Sequence, residues 1–246
     1  MTRNLPGEYG VDAPGALYGL AAPGAVLLVG GVVWLAVSGP GWSILPVAMG
    51  AYMLASAASF LYTTRRGKFA VWAGVLDGLA LRGGERVLDM GCGRGMVLVQ
   101  VARRLGSGTA VGLDLWRTRD QSGNAEAVTR ANAHAAGVSD RVELSTGDMT
   151  GMPYDDAAFD VVVSSLAVHN IPGAEGRRRA VAEAARVLRP GGRLAIADFR
   201  HTGAYAEVLT GLGWTDTATR DLGWRFWYGG PWTGTRLLTA TKPLEP

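Results

Sequence analysis

The sequence predicts an α/β domain on an open sheet, preceded by two apolar helices. Three observations carry this expectation. Ala13 to Thr64 is a run of 52 residues without a charged side chain, followed at once by Arg65-Arg66-Gly67-Lys68. A short strand, Glu85 to Asp89, rises into the glycine loop Met90-Gly91-Cys92-Gly93-Arg94-Gly95, and a helix follows from about Met96 to Leu105. Further apolar strands then recur in order along the chain.

A chain of 246 residues allows one sizeable domain plus something small. The net charge of +3 and the lack of a basic stripe interleaved with aromatics speak against nucleic acid as a partner. The first quarter is nearly uncharged, whereas the rest has ordinary globular charge. Cys92 is the single cysteine, so no disulfide forms within the chain, which fits a reducing compartment.

Gly39-Pro40-Gly41 splits the apolar run into two segments, about 16–37 and 42–64. Each is long enough to cross a hydrocarbon core of about 30 Å. So short a break makes the helices antiparallel. Tyr18 then lies level with Tyr62 and Trp34 with Trp42, two aromatic pairs at two interfaces. Ala51, Ala55 and Ser59 recur at four-residue spacing and suit close helix contact. Arg65, Arg66 and Lys68 place both ends of the hairpin in the cytoplasm by the positive-inside rule. The expectation is a two-helix anchor over 1–66 in the cell membrane, with a cytoplasmic domain over 67–246. A cleaved signal peptide is excluded by the missing basic cluster and the length of the run. Pro23 offers a variant: a first helix starting there leaves 15 residues before Ser38, and the hairpin would be re-entrant or interfacial. The other reading is a helical pair buried in a soluble protein, which normally keeps one polar face.

In the main domain, Phe69, Trp72, Val75, Leu76 and Leu79 give residues 69–81 a helical period. The glycine loop lets backbone approach a ligand closely, and the next helix offers free N–H groups. Gly91, Gly93 and Gly95 make G-x-G-x-G, and Met96 stands where a dinucleotide fingerprint needs glycine or alanine. Asp89, just before the loop, is able to accept bonds from loop amides or to face a ligand ammonium.

Val87 to Gly95 resembles the first motif of the class I S-adenosylmethionine (SAM)-dependent methyltransferases. The later positions fall in the order this resemblance implies. Thr109 to Asp114 is a second strand ending in an acid that takes both ribose hydroxyls, followed by Leu115 and by Trp116 against the adenine. Arg141 to Leu144 is a third strand, and Gly147-Asp148-Met149 follows it. The resemblance implies that Asp148 bonds the adenine amino group and that Met149 packs on the ring. Phe159 to Ser165 is a fourth strand, apolar as a buried parallel strand is, with Ser164 near its cofactor end. Leu188-Arg189-Pro190-Gly191-Gly192-Arg193-Leu194 is the family's turn into a fifth strand. Residues 215–222 and 235–241 fit the antiparallel pair that closes the sheet. The resemblance covers about residues 68–243 and implies a Rossmann-like, seven-stranded sheet with helices on both faces, and SAM as the cofactor.

A SAM enzyme mainly aligns an acceptor lone pair with the methyl carbon for in-line displacement and excludes water. No metal is required, and no metal-ligand cluster is seen. His169 and Asn170, after the fourth strand, sit where the acceptor is expected, with His169 either the general base or a cap of the following turn. The stretch lacks the Asn-Pro-Pro-Tyr type motif of nucleic-acid and amine methyltransferases. His201 is a second substrate-side candidate, whereas His134 lies in a surface helix, 125–136. Lys68 meets either the SAM carboxylate or lipid headgroups, and Trp72 follows it beside the acceptor. Cys92 is a small residue that fits its loop, and one cysteine is too few for arsenite methylation. Between Trp224 and Trp232 lie five aromatics in nine residues. Trp224, Trp227 and Tyr228 either wall the acceptor pocket, anchor on the bilayer or pack on the sheet.

The expected protein is a membrane-anchored methyltransferase with a small lipophilic acceptor: a quinol or isoprenoid, a phospholipid amine or a hydrophobic thiol. Methylation of a membrane-protein partner and a non-catalytic SAM-binding scaffold are the alternatives.

Overall fold

The computed structural model describes residues 5–118 and 121–244, so the outer ends of the expected segments, 1–4 and 245–246, fall outside it. Helix α1 (Pro14–Ser38) opens on a proline, whose missing N–H costs nothing there, and runs on through Pro23. The late start at Pro23 is therefore not adopted, and the 25 residues extend about 37 Å. Helix α2 (Ile44–Tyr62) returns antiparallel. Their seam is made by glycines: Gly24 faces Met53 and Leu54, Gly31 faces Val47, and Gly50 faces Leu28. The expected contact row of Ala51, Ala55 and Ser59 is not the seam, since Ala51 and Ala55 are exposed. Glycine wins because it removes the Cβ that holds two backbones apart.

Both helices are long and apolar enough to cross a membrane, and little of either is covered by protein. Beyond Tyr62 the chain makes one π-helical turn, Thr63–Gly67, and continues without a break into α3 (Lys68–Gly78). The expected division at 66/67 thus falls inside a helix that runs from Ile44 to Gly78.

The seven strands are β1 (Arg86–Met90), β2 (Thr109–Asp114), β3 (Val142–Thr146), β4 (Phe159–Ser165), β5 (Leu188–Asp198), β6 (Thr217–Asp221) and β7 (Arg236–Thr241). Their spatial order is β3-β2-β1-β4-β5-β7-β6. All neighbours are parallel except β7, which is antiparallel to β5 and β6. Val161, Val162 and Val163 of β4 are fully buried, because helices cover both faces of the sheet centre. Strand β6 is the rim strand, and Ala218 to Asp221 are exposed. Helices α4 (Met96–Ala102), α5 (Glu126–Ala135), α6 (Ala174–Val187) and α7 (Thr202–Gly211) complete the layers. Strand order reverses between β1 and β4, which opens a crevice at their carboxyl ends.

Two further pieces roof this crevice. Residues 5–13, ahead of α1, lie on the sheet domain. There Tyr9 meets Phe69 edge-on at 5.3 Å, and Glu8 exchanges backbone bonds with the Asn132 side chain. The aromatic loop lies along α2. Trp224 stacks on Tyr62 at 5.2 Å, Tyr228 meets Phe60 at 5.0 Å, and Trp232 meets Tyr52 at 5.9 Å.

Candidate cofactor and acceptor site

The glycine loop is shaped by contacts that leave no room for side chains. At Gly91, φ is 75° and a Cβ would run into Ala167. Its amide and that of Cys92 donate to Leu113 O at 2.8 and 3.1 Å, which ties the loop to β2. At Gly93, φ is 52° and the amide donates to Asp114 Oδ2 at 2.8 Å. Asp114 Oδ1 accepts from Trp116 N at 2.6 Å and from Asn124 Nδ2 at 3.1 Å. The acid at the end of β2 therefore holds the loop in shape. Gly95 sits behind the loop as the cap of α4 and faces Thr129. Burial pushes the Cys92 thiol well up, in keeping with a packing role.

Asp89 is the outlier of the cradle. Its carboxylate is buried, and neither oxygen has a hydrogen-bond partner. Burial pushes its pKa up to about 8; the Leu98 amide, near but outside hydrogen-bond geometry, opposes the rise, and the nearby Asp114 carboxylate adds to it. A buried carboxyl without partners, facing a cavity, is poised for a cationic ligand.

The cavity has a volume of about 570 Å³. Leu115, Asp148 and Met149 line one end, and Ser165, His169, Asn170 and Phe199 line another. Its third wall is Asp12, Ala16, Phe60, Lys68 and Tyr228, so the apolar hairpin forms part of the site. Several expected residues do not line it. Trp116, at φ 56°, turns away and donates Nε1–H to Thr146 Oγ1 at 2.8 Å. Ser164 is buried and donates to Met90 O, and its neighbour Ser165 lines the cavity instead. Trp72 is fully buried and donates Nε1–H to Ser165 Oγ at 2.8 Å, so it supports the wall from behind. His201 is an exposed cap of α7. Trp224 and Trp227 pack towards α2, where Trp227 O accepts from Thr63 Oγ1 at 2.7 Å.

Lys68 does not snorkel to lipid headgroups: it is 3% exposed and its ammonium lies 2.7 Å from Asp12 Oδ2. Asp12 also accepts from Tyr228 OH at 2.8 Å, Thr64 Oγ1 at 2.9 Å and Gln121 Nε2 at 3.2 Å. One carboxylate thus joins the leading segment, the π turn, α3, the aromatic loop and the loop after β2. Burial alone raises the Asp12 pKa, but the Lys68 ammonium and the Tyr228 and Thr64 hydroxyls outweigh it and hold the acid below the usual range. Burial and the Asp12 charge push Tyr228 well above 10, so its phenol stays a donor. Gln121 carries the network on: its Oε1 accepts from the loop amide of Arg94 at 3.0 Å.

On the acceptor side, His169 Nδ1 lies 2.7 Å from Asp198 Oδ1, off the line of a ring hydrogen bond. Asp198 is fully buried at the end of β5. It is held by the amides of His169 and Phe199 and by Tyr205 OH. The His169 ring also rests edge-on against Phe199 at 4.4 Å. Nδ1 thus faces the acid, and Nε2 is the ring nitrogen left to take a proton.

Residues 88–196 match the methyltransferase domain family. This is a class I methyltransferase domain. Over 123 residues the chain is 40% identical to 27-O-demethylrifamycin SV methyltransferase of Amycolatopsis mediterranei, covering 49% of this chain and 41% of that one. Over 125 residues it is 36% identical to the ubiquinone/menaquinone biosynthesis C-methyltransferase UbiE of Roseobacter denitrificans, covering 51% and 46%. It therefore spans less than half the length of these curated relatives. Among solved structures, the cyclase SpnF superposes with a TM-score of 0.61 at 23% identity, over 74% of this chain and 84% of that one, a likeness of fold.

SAM is the cofactor of this methyltransferase domain, and the residues fit it. Asp89 supplies the missing charge for a cationic ligand, Gly91 and Gly93 leave bare backbone, and Asp114 stands at the end of β2. Sequence reasoning missed Asp12, Gln121 and Asp198. Asp12 had a visible signal: it is the last charge before the uncharged run, and a closed hairpin must bring it to the charges that follow the run.

Proposed function

We propose that the protein is a membrane-anchored SAM-dependent methyltransferase acting on a small lipophilic acceptor at the cytoplasmic face of the cell membrane. The observation that carries this is the mixed lining of the cavity. The glycine cradle, Ala16 of α1 and Phe60 of α2 all line it. A site walled by the anchor itself suits a molecule that resides in lipid. The names of several relatives point the same way, since they act on ubiquinone, menaquinone or phytyl-naphthoquinone precursors. A prenylated quinol is the favoured acceptor.

Bound SAM supplies an electrophilic methyl group on a sulfonium. In this reading Asp89 balances the ligand's positive charge, and Asp114 with Asp148 and Met149 holds the nucleoside. His169 Nε2 removes the proton from the acceptor, and Asp198 keeps the ring turned. The Asp12 latch and the hairpin wall keep water out. The scaffold reading is disfavoured by the His169 ring set on the buried Asp198 in the cavity wall, for which a pure binding module has no use.

The test is detergent-purified protein with methyl-labelled SAM and a membrane extract of the source cells. Label that partitions into organic solvent supports the reading. Label only in protein or in water overturns the lipophilic acceptor.

A further inference from the structure

The aromatic loop has a shape and a position that the methyltransferase fold does not require. Trp227 and Gly234 pair across it, so Trp227–Gly234 is a narrow finger with Gly229, Gly230, Pro231 and Trp232 at its tip. Phe226 to Gly234 carries no charge. The finger points along α2 away from Arg65 and Arg66. Its base meets the helix at Thr63, Gly229 reaches Ser56 and Leu20, and Trp232 reaches Tyr52. From Tyr62 to Tyr52 is about 15 Å of helix axis.

Charge and exposure set the level of the surface. Arg65 and Arg66 are exposed on the π turn, and exposed Arg225 lies over the Trp224 ring at 5.2 Å. These three cations form one band, as anionic headgroups require. At the far end Trp34 and Trp42 are exposed. The helix between Trp42 and Thr63 measures about 30 Å, one hydrocarbon thickness. With both bands at interfaces, the finger tip falls below the headgroups, and Trp232, 65% exposed, points into acyl chains.

We propose that the Trp227–Gly234 finger is a third membrane-inserted element, and that it frames with Ala16 and Phe60 a side opening through which the acceptor enters from the acyl-chain layer. This rests on the anchoring proposed above and adds a route and a depth to it. The cavity wall at Ala16, Phe60, Tyr228 and Thr233 is where the finger meets the hairpin. Phe60 lies about 7 Å along the helix from Arg65, on the acyl side. The Asp12 latch closes the inner side of the same opening. A tailed acceptor thus presents its head to His169 while its tail stays among lipids.

The experiment places a nitroxide on single variants of the full chain in nanodiscs of phosphatidylcholine and phosphatidylglycerol. Collision with oxygen is read against collision with an aqueous nickel chelate. Unsubstituted protein gives the background from buried Cys92. Val26→Cys, in the middle of α1 and 72% exposed, reports on the hairpin, Trp232→Cys on the finger tip, Ala16→Cys on the opening, and Arg179→Cys on an exposed helix of the sheet domain. The expected result is strong oxygen and weak nickel collision at Val26, Trp232 and Ala16, and the reverse at Arg179. Val26 in lipid with Trp232 or Ala16 in water overturns the side opening and leaves the anchor standing. Val26 in water overturns the anchor and the opening together.

Discussion

Asp12 and Lys68 stand 56 residues apart, one on each side of the apolar hairpin, and their side chains meet at 2.7 Å in a nearly buried contact. The contact closes the open end of the hairpin and the roof of the cavity at once. Its two halves belong to segments that look unrelated in the sequence.

Asp12→Ala leaves the Lys68 ammonium buried without its partner. Losing one side of a buried pair costs about 3–5 kcal/mol. The double variant Asp12→Ala/Lys68→Met is expected to recover most of that loss in chemical denaturation of detergent-solubilised protein. A double variant no more stable than the single one would show that the two residues are not a unit. Because the folded pKa of Asp12 is depressed, its contribution is complete above the unfolded value of about 4. It is lost as pH falls through the folded value, so the latch holds throughout neutral pH.

Asp89 gives the opposite sign. Its folded pKa of about 8 lies above the unfolded value, so ionising it costs stability as pH rises from about 4 to 8. A cationic ligand needs the ionised form. SAM affinity is therefore expected to rise with pH, by at most about tenfold per unit, and to level off above pH 8. Calorimetry at pH 7 in two buffers of different ionisation enthalpy should detect a proton released on binding. Equal heats in both buffers would remove Asp89 as the cation's partner. Asp89→Asn should flatten the pH dependence and weaken binding.

Asp114→Ala removes the acceptor for the Gly93 and Trp116 amides and for Asn124. SAM affinity is expected to fall at least tenfold, about 1.4 kcal/mol or more. Asp114→Asn, which keeps one acceptor oxygen, should lose less. Equilibrium binding measures both, and an unchanged affinity for Asp114→Ala would contradict the cradle as drawn.

His169→Ala is expected to lower kcat by roughly 10²- to 10⁴-fold while leaving the SAM dissociation constant unchanged. Asp198→Asn should lower kcat by a smaller factor, again with SAM binding intact, because the ring stays present but loses its orienting charge. Full turnover in His169→Ala would take the imidazole out of the mechanism.

Much of this molecule was legible in the sequence because its signals are local. The strands, the glycine loop and Asp114 follow from periodicity and from a turn that only glycine can make. Trp116 and Ser164 were misjudged for a reason of direction. Adjacent residues on a strand or its exit point to opposite sides, so the lining falls on Ser165 where Ser164 was expected, and of the expected neighbours Leu115 and Trp116 only Leu115 faces the cavity. The sequence offers Lys68 a SAM carboxylate or lipid headgroups and not Asp12, because Asp12 precedes the run that separates them. The Asp198 support of His169 depends on how β4 and β5 end side by side, which no short motif states.

The π turn at Thr63–Gly67 carries one residue more than an α-helical turn would hold. One residue in a helix is a rotation of about 100°. The angular setting of the hairpin relative to the sheet is thus stored in a single extra peptide unit. Deleting one residue there would keep every element intact and swing Phe60 away from Tyr228. The turn works as an indexing step: it decides which flank of the hairpin the cofactor cleft sees.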